Sequence, residues 1–379
     1  MEDTICAIST SMGIGAISIV RVTGPNTIDI VDSIFDHDLK NASSHTIHYG
    51  HIKYKEEKID EVLVMLMRGP KTYTTEDTIE INCHGGVSTT KKIMEVLLAN
   101  GCRLAEPGEF TKRAYLNGRI NLLEAESVND LIIAKTDAAR TLAINNVDGK
   151  LTKQISNLRE KIAKILANIE VNIDYPEYTD ELEVTKDLMH GYLDEINKEL
   201  LKLVNGSKNG RIIKNGVNVA IIGKPNVGKS SILNSLLDEE KAIVTNIPGT
   251  TRDIVEGSIT LNGVAINFID TAGIRKTEDI VEKIGVDKSK KTAENADIIL
   301  FVLNNETISE EEKAMLKKYN NDKLIVFVNK MDLESKLIIP ENIKDIVYGN
   351  TIDINGLEKL KERITEKLNL SNLHYQKLF

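Results

Sequence analysis

Apolar residues follow three successive rhythms along the chain. Over 1–118, short β-rich runs alternate with one helical segment. AISIVRV (16–22), EVLVMLM (61–67) and DTIEINC (77–83) predict strands, being short, rich in β-branched residues and bounded by polar or turn positions. TTKKIMEVLLANG places its apolar residues on one helical face and ends at Gly101, the residue expected to close the helix. This stretch is an α+β domain. Over 119–213 the period becomes helical: Leu151, Ile155, Leu158, Ile162, Ile165 and Ile169 step by four and three, as do Met189, Leu193, Ile196, Leu200 and Leu203. Two such stripes predict long antiparallel helices joined by the turn-rich DYPEYTD, with the stripes serving as bundle core.

NGSKNGRIIKNG (205–216) reads as a linker from its Gly, Asn and Lys content. Beyond it, VNVAIIG, VAINFID, DIILFVL and KLIVFVN are nearly unbroken apolar runs separated by helical patterns. Strands of that kind are buried on both faces, which predicts a parallel sheet in a doubly wound α/β domain over 214–370.

Composition narrows the class. The 379 residues suffice for two or three domains, and the 41% hydrophobic and 28% charged contents are those of a globular protein. No apolar run is long enough for a membrane span, and MEDTICAIST lacks the basic start of a secretory signal. Cys6, Cys83 and Cys102 are widely spaced and odd in number, which fits a reducing cytoplasm and lacks zinc-ligand spacing. The net charge of −9 argues against indiscriminate coating of nucleic acid, so any RNA contact must be local or follow docking.

The chemistry lies in the third segment. GKPNVGKSS starts at Gly223, directly after one predicted strand and before the helical SILNSLL. In that context G-x-x-x-x-G-K-S cradles phosphates: backbone N–H groups from Asn226, Val227, Gly228, Lys229, Ser230 and Ser231 turn inward, Lys229 reaches the β- and γ-phosphates, and Ser230 offers a hydroxyl to Mg²⁺. DTAG (Asp270, Thr271, Ala272, Gly273) ends a later strand, where the carboxylate can hold Mg²⁺ through water and Gly273 can approach the γ-phosphate. PGTTRD between them offers Thr250 and Thr251, with Thr251 assigned to the metal. VNKMD supplies Asn329, Lys330 and Asp332 in the N-K-x-D pattern, whose carboxylate accepts from guanine N1–H and N2–H and faces an unpaired edge on adenine. Three motifs in this order on these elements predict a GTP site. The loop that often supports the base is poor here, with Asn350, Thr351 and Ile352 in its place, and predicts micromolar nucleotide affinity.

One residue departs from the familiar GTPases. In FIDTAGIRKTEDIVEKIG, Ile274 follows Asp-x-x-Gly where a glutamine would orient the attacking water, and its side chain cannot hydrogen-bond. The chain resembles, over essentially its whole length, the tRNA-modifying GTPase family called MnmE or TrmE. The resemblance is carried by GIGAISIVRVTG, TYTTEDTIEINCHGG, AEPGEFTKRAYLNGRINLLEAESVNDLI and VEKIG. It implies a multidomain α/β chain: an α+β folate-binding, dimerising N-terminal domain, an α-helical domain, and a doubly wound P-loop GTPase domain inserted in the latter. It further implies that G domains pair across the nucleotide with K⁺ in place of an arginine finger, a substitution worth roughly 10³–10⁵ in rate. Asn226 of the phosphate loop would ligate K⁺, and the segment Thr245, Asn246, Ile247, Pro248, Gly249, Thr250 would close over the ion, with Thr245, Ile247 and Thr250 contributing oxygens. Glu282 would position the attacking water, and Arg275 belongs to the switch that reorganises on pairing. From the residues alone, Asn226 as a loop buttress and Glu282 as a solvated helix charge are the simpler readings.

For folate, Arg21, Glu80 and Arg119 match positions that contact 5-formyltetrahydrofolate in the family, with 5,10-methylenetetrahydrofolate as carbon donor; the last is a lysine in the family's more familiar pattern. The bland alternative for each is a surface ion pair, and Cys83 and His84 are read as structural. The implied activity is potassium-dependent GTP hydrolysis coupled to wobble-uridine modification of tRNA, as a cytoplasmic homodimer with the flavoprotein MnmG (GidA), which carries FAD. Family members have further helices after the G domain, ending in a cysteine motif. Here 371–379 reads as the start of a truncated helical segment, so hydrolysis is expected to survive more readily than tRNA modification. A GTP-switched scaffold and a ribosome-assembly GTPase of the Era or Der type are the alternatives.

Overall fold

The computed structural model describes residues 3–174, 186–224, 226–239, 257–270, 294–332, 337–341, 343–350, 354–368 and 370. It divides into two compact units, 1–128 and 129–379.

The first unit runs β1 (Ile5–Ile8), β2 (Ile17–Thr23), α1 (Thr27–Asp32), β3 (Thr46–Tyr54), β4 (Glu57–Met67), β5 (Thr78–His84), α2 (Val87–Ala99), β6 (Arg103–Leu104) and α3 (Glu109–Leu116). Its six strands lie in the order β3-β4-β5-β2-β1-β6. Period-two alternation sends Val20, Val22, Val62, Val64, Leu66, Ile79 and Ile81 to one face, where Ile93 and Leu97 of α2 cover them. The opposite face carries Arg21 and Glu80, directly opposite one another on β2 and β5. Helix α2 ends as its sequence demands: the Cys102 N–H bonds the Leu97 carbonyl at 3.0 Å and the Gly101 N–H the Leu98 carbonyl at 3.3 Å. Gly101 takes φ +104 to allow that reversal.

Helix α3 is held by charge. Arg113 is fully buried and its guanidinium meets Asp3 at 2.8 Å, Glu76 at 3.2 Å and Glu109 at 3.2 Å, while Arg103 meets Glu109 at 2.6 Å. The Arg103 hydrogen bond, aided by the Glu106 backbone N–H and Arg113 and opposed by burial, holds the Glu109 carboxyl down at about 2. A buried ion network of this kind is costly to break by halves.

The second unit holds α4 (Leu122–Ile133, spanning the division), α5 (Asp137–Val147), α6 (Lys150–Asp174), α7 (Lys186–Asn215), β7 (Val217–Ile222), α8 (Lys229–Glu239), β8 (Gly257–Leu261), β9 (Val264–Asp270), β10 (Ile298–Leu303), α9 (Glu310–Tyr319), β11 (Leu324–Val328), β12 (Ile346–Tyr348) and α10 (Ile354–Lys367). Lys161 of α6 bonds Glu195 at 2.8 Å and Glu199 at 2.6 Å, one turn apart on the same face of α7. Leu158 and Ile196 of the two stripes are buried, whereas Ile155, Ile162, Leu193 and Leu200 are exposed.

Three expectations need correction. The stripes of α6 and α7 do not serve throughout as bundle core, because two paired helices bury only the positions that face one another and leave Ile155, Ile162, Leu193 and Leu200 exposed. The stretch 205–216 is not a free linker: α7 continues to Asn215, and Ile213, 1% exposed, packs in the same core as Val217, Ile266 and Ala138. Burial of that residue outweighs the low helix propensity of the Gly and Asn around it. Nor is the sheet wholly parallel. Its order is β12-β11-β10-β7-β9-β8, with β8 antiparallel to β9 at the edge and the other neighbours parallel. Leu261 and Val264 flank a two-residue turn at Asn262 and Gly263, both at positive φ, so β8 and β9 form a hairpin.

Both faces are buried. Ile298, Leu300 and Val302 face α8 and α10 residues such as Ile232, Leu236 and Leu360, while Ile299, Phe301 and Leu303 face Leu316 and Tyr319 of α9. Among the described residues, no helix is long and apolar enough to cross a membrane.

Because the folded Glu109 carboxyl titrates below its ordinary 4.5, its contribution is fully present above that value and is lost as pH falls through about 2. Far-UV circular dichroism on acid titration should show the first unit losing structure from about pH 4.5 downward, and Glu109→Gln should remove part of that pH dependence.

Candidate nucleotide site and a cation–aromatic cluster

Strand β7 lies between β9 and β10, so its carboxyl end opens at the point where the chain turns to opposite sides of the sheet. Crevices at such switch points are where open α/β sheets bind ligands. The chain passes here from β7 into α8. Asn226 takes φ +63 and exposes its side chain, Val227 is buried, and Gly228 takes φ +102. Ser230 and Ser231 stand exposed in the first turn of α8, where N–H groups and the helix dipole favour anions. Lys229 is buried, and its Nζ donates to the Gly223 carbonyl at 2.8 Å and the Lys224 carbonyl at 2.6 Å.

The guanine motif abuts this loop. Asn329, 1% exposed, donates from Nδ2 to the Val227 carbonyl at 2.9 Å, and its Oδ1 accepts from the Lys330 N–H at 2.8 Å. Lys330 takes φ +61, and Asp332 is exposed after it. The Met331 N–H reaches the Gly349 carbonyl at 3.4 Å, bringing Gly349, the residue before Asn350, beside the same motif. Asp270 ends β9 opposite Ile221, two residues before the phosphate loop begins. Thus Asn226, Val227, Gly228, Lys229, Ser230, Ser231, Asn329, Lys330 and Asp332 are gathered at one end of the sheet, with Asp270 on the strand beside them. Thr245, Asn246, Ile247, Pro248, Gly249, Thr250, Thr251, Thr271, Ala272, Gly273, Ile274, Arg275, Glu282, Thr351, Ile352 and the segment 371–379 lie outside the described residues.

The first unit gathers its own three candidates. Arg21 bonds Glu80 through Nε at 2.7 Å and Nη2 at 2.6 Å. The Arg21 guanidinium lies 5.9 Å from the Tyr73 ring and 5.5 Å from Phe110, and that of Arg119 lies 4.8 Å from Tyr73. Arg119 also donates to the Tyr73 carbonyl at 3.2 Å, and Tyr73 Oη meets Thr111 Oγ1 at 2.9 Å. Tyr73 and Phe110 were not among the expected site residues. Both sit inside quoted family-like segments, but their convergence on Arg21 is a long-range contact that no local pattern encodes. Cys83 is buried, its thiol pushed up chiefly by that burial, and His84 Nδ1 meets Asp60 at 2.8 Å. Among the described residues, no group of His, Cys, Asp and Glu has metal-site geometry.

Fold and site together define a P-loop GTPase. Residues 4–119 match the family described as GTP-binding protein TrmE N-terminus, and 218–330 the family described as 50S ribosome-binding GTPase. The chain is 50% identical over 366 residues to the tRNA modification GTPase MnmE of Streptococcus thermophilus, covering 96% of this chain and 80% of that protein. It is 51% identical over 370 residues to the MnmE of Listeria welshimeri, covering 96% and 81%, and 50% identical over 354 residues to that of Staphylococcus aureus, covering 92% and 77%. The chain belongs to the tRNA modification GTPase MnmE family, and it is a GTPase.

A side chain on Gly228 would collide with Asn329 Nδ2. Gly228→Ala should therefore abolish the rise in melting temperature that Mg²⁺ and GDP give the wild type; an undiminished rise would contradict this placement.

Proposed function

We propose that the protein couples potassium-dependent GTP hydrolysis to modification of the wobble uridine of tRNA, yielding 5-aminomethyl or 5-carboxymethylaminomethyl uridine with the FAD-containing flavoprotein MnmG. The observation that carries the reading is the identity of about half of all aligned positions with tRNA modification GTPases across 96% of the chain, spanning both units. A ribosome-assembly role would leave the match at 4–119 without a task.

In this reading 1–118 is the folate-binding and dimerisation domain, 119–213 the helical domain and 214–370 the G domain of a cytoplasmic homodimer. The residues present fit the groups involved. Ser230 offers a hydroxyl at a helix N-terminus and Asn226 an exposed carboxamide, the oxygen donors that Mg²⁺ and K⁺ take. Thr251 would complete the Mg²⁺ set, and Thr245, Ile247 and Thr250 the K⁺ set. When bound, the two ions offset charge that develops on the transferring phosphoryl group. Lys229 leaves its two carbonyls for the phosphates, Asp332 orients guanine, Glu282 positions water in place of the glutamine absent at Ile274, and Arg275 moves with the switch.

Arg21, paired with Glu80 between two aromatic faces, and Arg119 over Tyr73 supply a cation, a carboxylate and flat apolar surface. That donor set fits 5-formyltetrahydrofolate, whose tail is anionic and whose pterin edge carries N–H groups. A reduced folate, as 5,10-methylenetetrahydrofolate, supplies the one-carbon unit. Tyr73 sets the spacing of the two guanidinium groups.

GTP turnover should be much faster in potassium than in sodium, and Asn226→Ala should lower the potassium-stimulated rate by about a hundredfold. Equal turnover in both ions, unaffected by the substitution, would overturn the mechanism. Tyr73→Ala should weaken binding of 5-formyltetrahydrofolate by about tenfold in isothermal titration, the effect of losing one aromatic face against two cations.

A further inference from the structure

The phosphate loop is tied to a third segment that none of the nucleotide motifs contains. Lys224, the residue after Gly223, points its Nζ at Glu312 Oε2, 2.9 Å away. Glu312 lies in the first turn of α9, and its side chain is 5% exposed. The same Oε2 accepts from the Ser309 N–H at 2.8 Å and the Ser309 hydroxyl at 2.9 Å, while Ser309 Oγ accepts from the Glu312 N–H at 3.3 Å. Helix α9 thus begins with a complete capping box whose carboxylate also holds the phosphate loop. Burial opposes ionisation of Glu312, yet the Ser309 N–H and Lys224 keep its carboxyl below the ordinary range.

The segment between β10 and α9 also touches the guanine motif: Asn305 Nδ2 donates to the Lys330 carbonyl at 3.3 Å. Asn329 in turn donates to Val227, so the links form a closed ring. The ring runs from phosphate loop to guanine motif, from guanine motif to the β10–α9 segment, and from that segment back through Glu312 to Lys224. The Lys224 carbonyl is one of the two on which Lys229 rests.

We propose that Glu312 is a positioning residue of the nucleotide site. Through Lys224 it fixes the first half of the phosphate loop, and thereby sets how slowly bound nucleotide is released. The ion pair also turns the Lys224 ammonium onto α9, so the charge presented to the phosphates comes from Lys229. A purely local role for Glu312, capping α9, would involve Ser309 alone and would be indifferent to Lys224.

Two substitutions separate these roles. Glu312→Gln keeps an oxygen that can accept from the Ser309 N–H, so α9 stays capped while the charge facing Lys224 is removed. Lys224→Met removes the other partner and leaves α9 untouched. In the full chain loaded with a fluorescent GDP analogue and chased with excess GDP, each variant should release nucleotide about fivefold faster than wild type, a modest effect for a pair with one partly exposed member. The double variant should release it no faster than either single one, because the two act through one contact. Wild-type release from both single variants would overturn the proposal, as would single effects that multiply to about twenty-five-fold in the double variant. A lowered melting temperature for Glu312→Gln with unchanged release would also overturn it, assigning Glu312 to the cap alone.

Discussion

The hydrogen bond from Asn329 Nδ2 to the Val227 carbonyl is the contact on which the second unit's chemistry depends. It joins the end of β11 to the phosphate loop after β7, two strands separated in the sheet by β10. An amide buried this deeply, left without a partner, would cost about 1–3 kcal/mol, so the loop and the guanine motif cannot separate cheaply. The bond also explains the residue beside it: Gly228 must lack a side chain because Asn329 occupies the space a methyl group would need.

Around that contact, positive charge and N–H donors gather where an anion would bind. Lys229 is already buried, with its charge directed at two backbone carbonyls, and α8 presents its first N–H groups at the loop's end. Exchange of those carbonyls for phosphate oxygens replaces dipoles with full charges, which strengthens the interaction without unfolding the loop. The first unit uses a different device. Its helix α3 is clamped by Arg113, Glu109 and Arg103, and that clamp fixes the helix that carries Phe110 and Thr111 toward Arg21 and Tyr73.

Legibility in the sequence followed how local each feature is. The apolar runs of β7, β9, β10 and β11 stood out because both of their faces are buried, so alternation gives way to unbroken Val, Ile and Phe. The phosphate loop and N-K-x-D were legible because their chemistry needs particular residues a few positions apart. The edge strand β8 is the exception: it went unread although Asn262-Gly263 is itself a local two-residue hairpin signal, because GSITL is short and less apolar than the buried strands. The last turns of α7 were misread because Gly and Asn composition argued for a linker, while the burial of Ile213 lies in contacts with distant strands. Lys224–Glu312 and Arg21–Phe110 were illegible for the same reason: each joins residues almost ninety positions apart.

Family membership and the assembled nucleotide site make the proposed coupling of GTP hydrolysis to tRNA the central claim about this protein. It is tested most directly in bacteria whose own MnmE gene is deleted and which carry only this chain, by mass spectrometry of nucleosides from purified tRNA. The account predicts that 5-aminomethyl or 5-carboxymethylaminomethyl groups return at the wobble uridine and disappear again with Gly228→Ala. Wobble uridine left unmodified in cells whose purified protein hydrolyses GTP normally would contradict it.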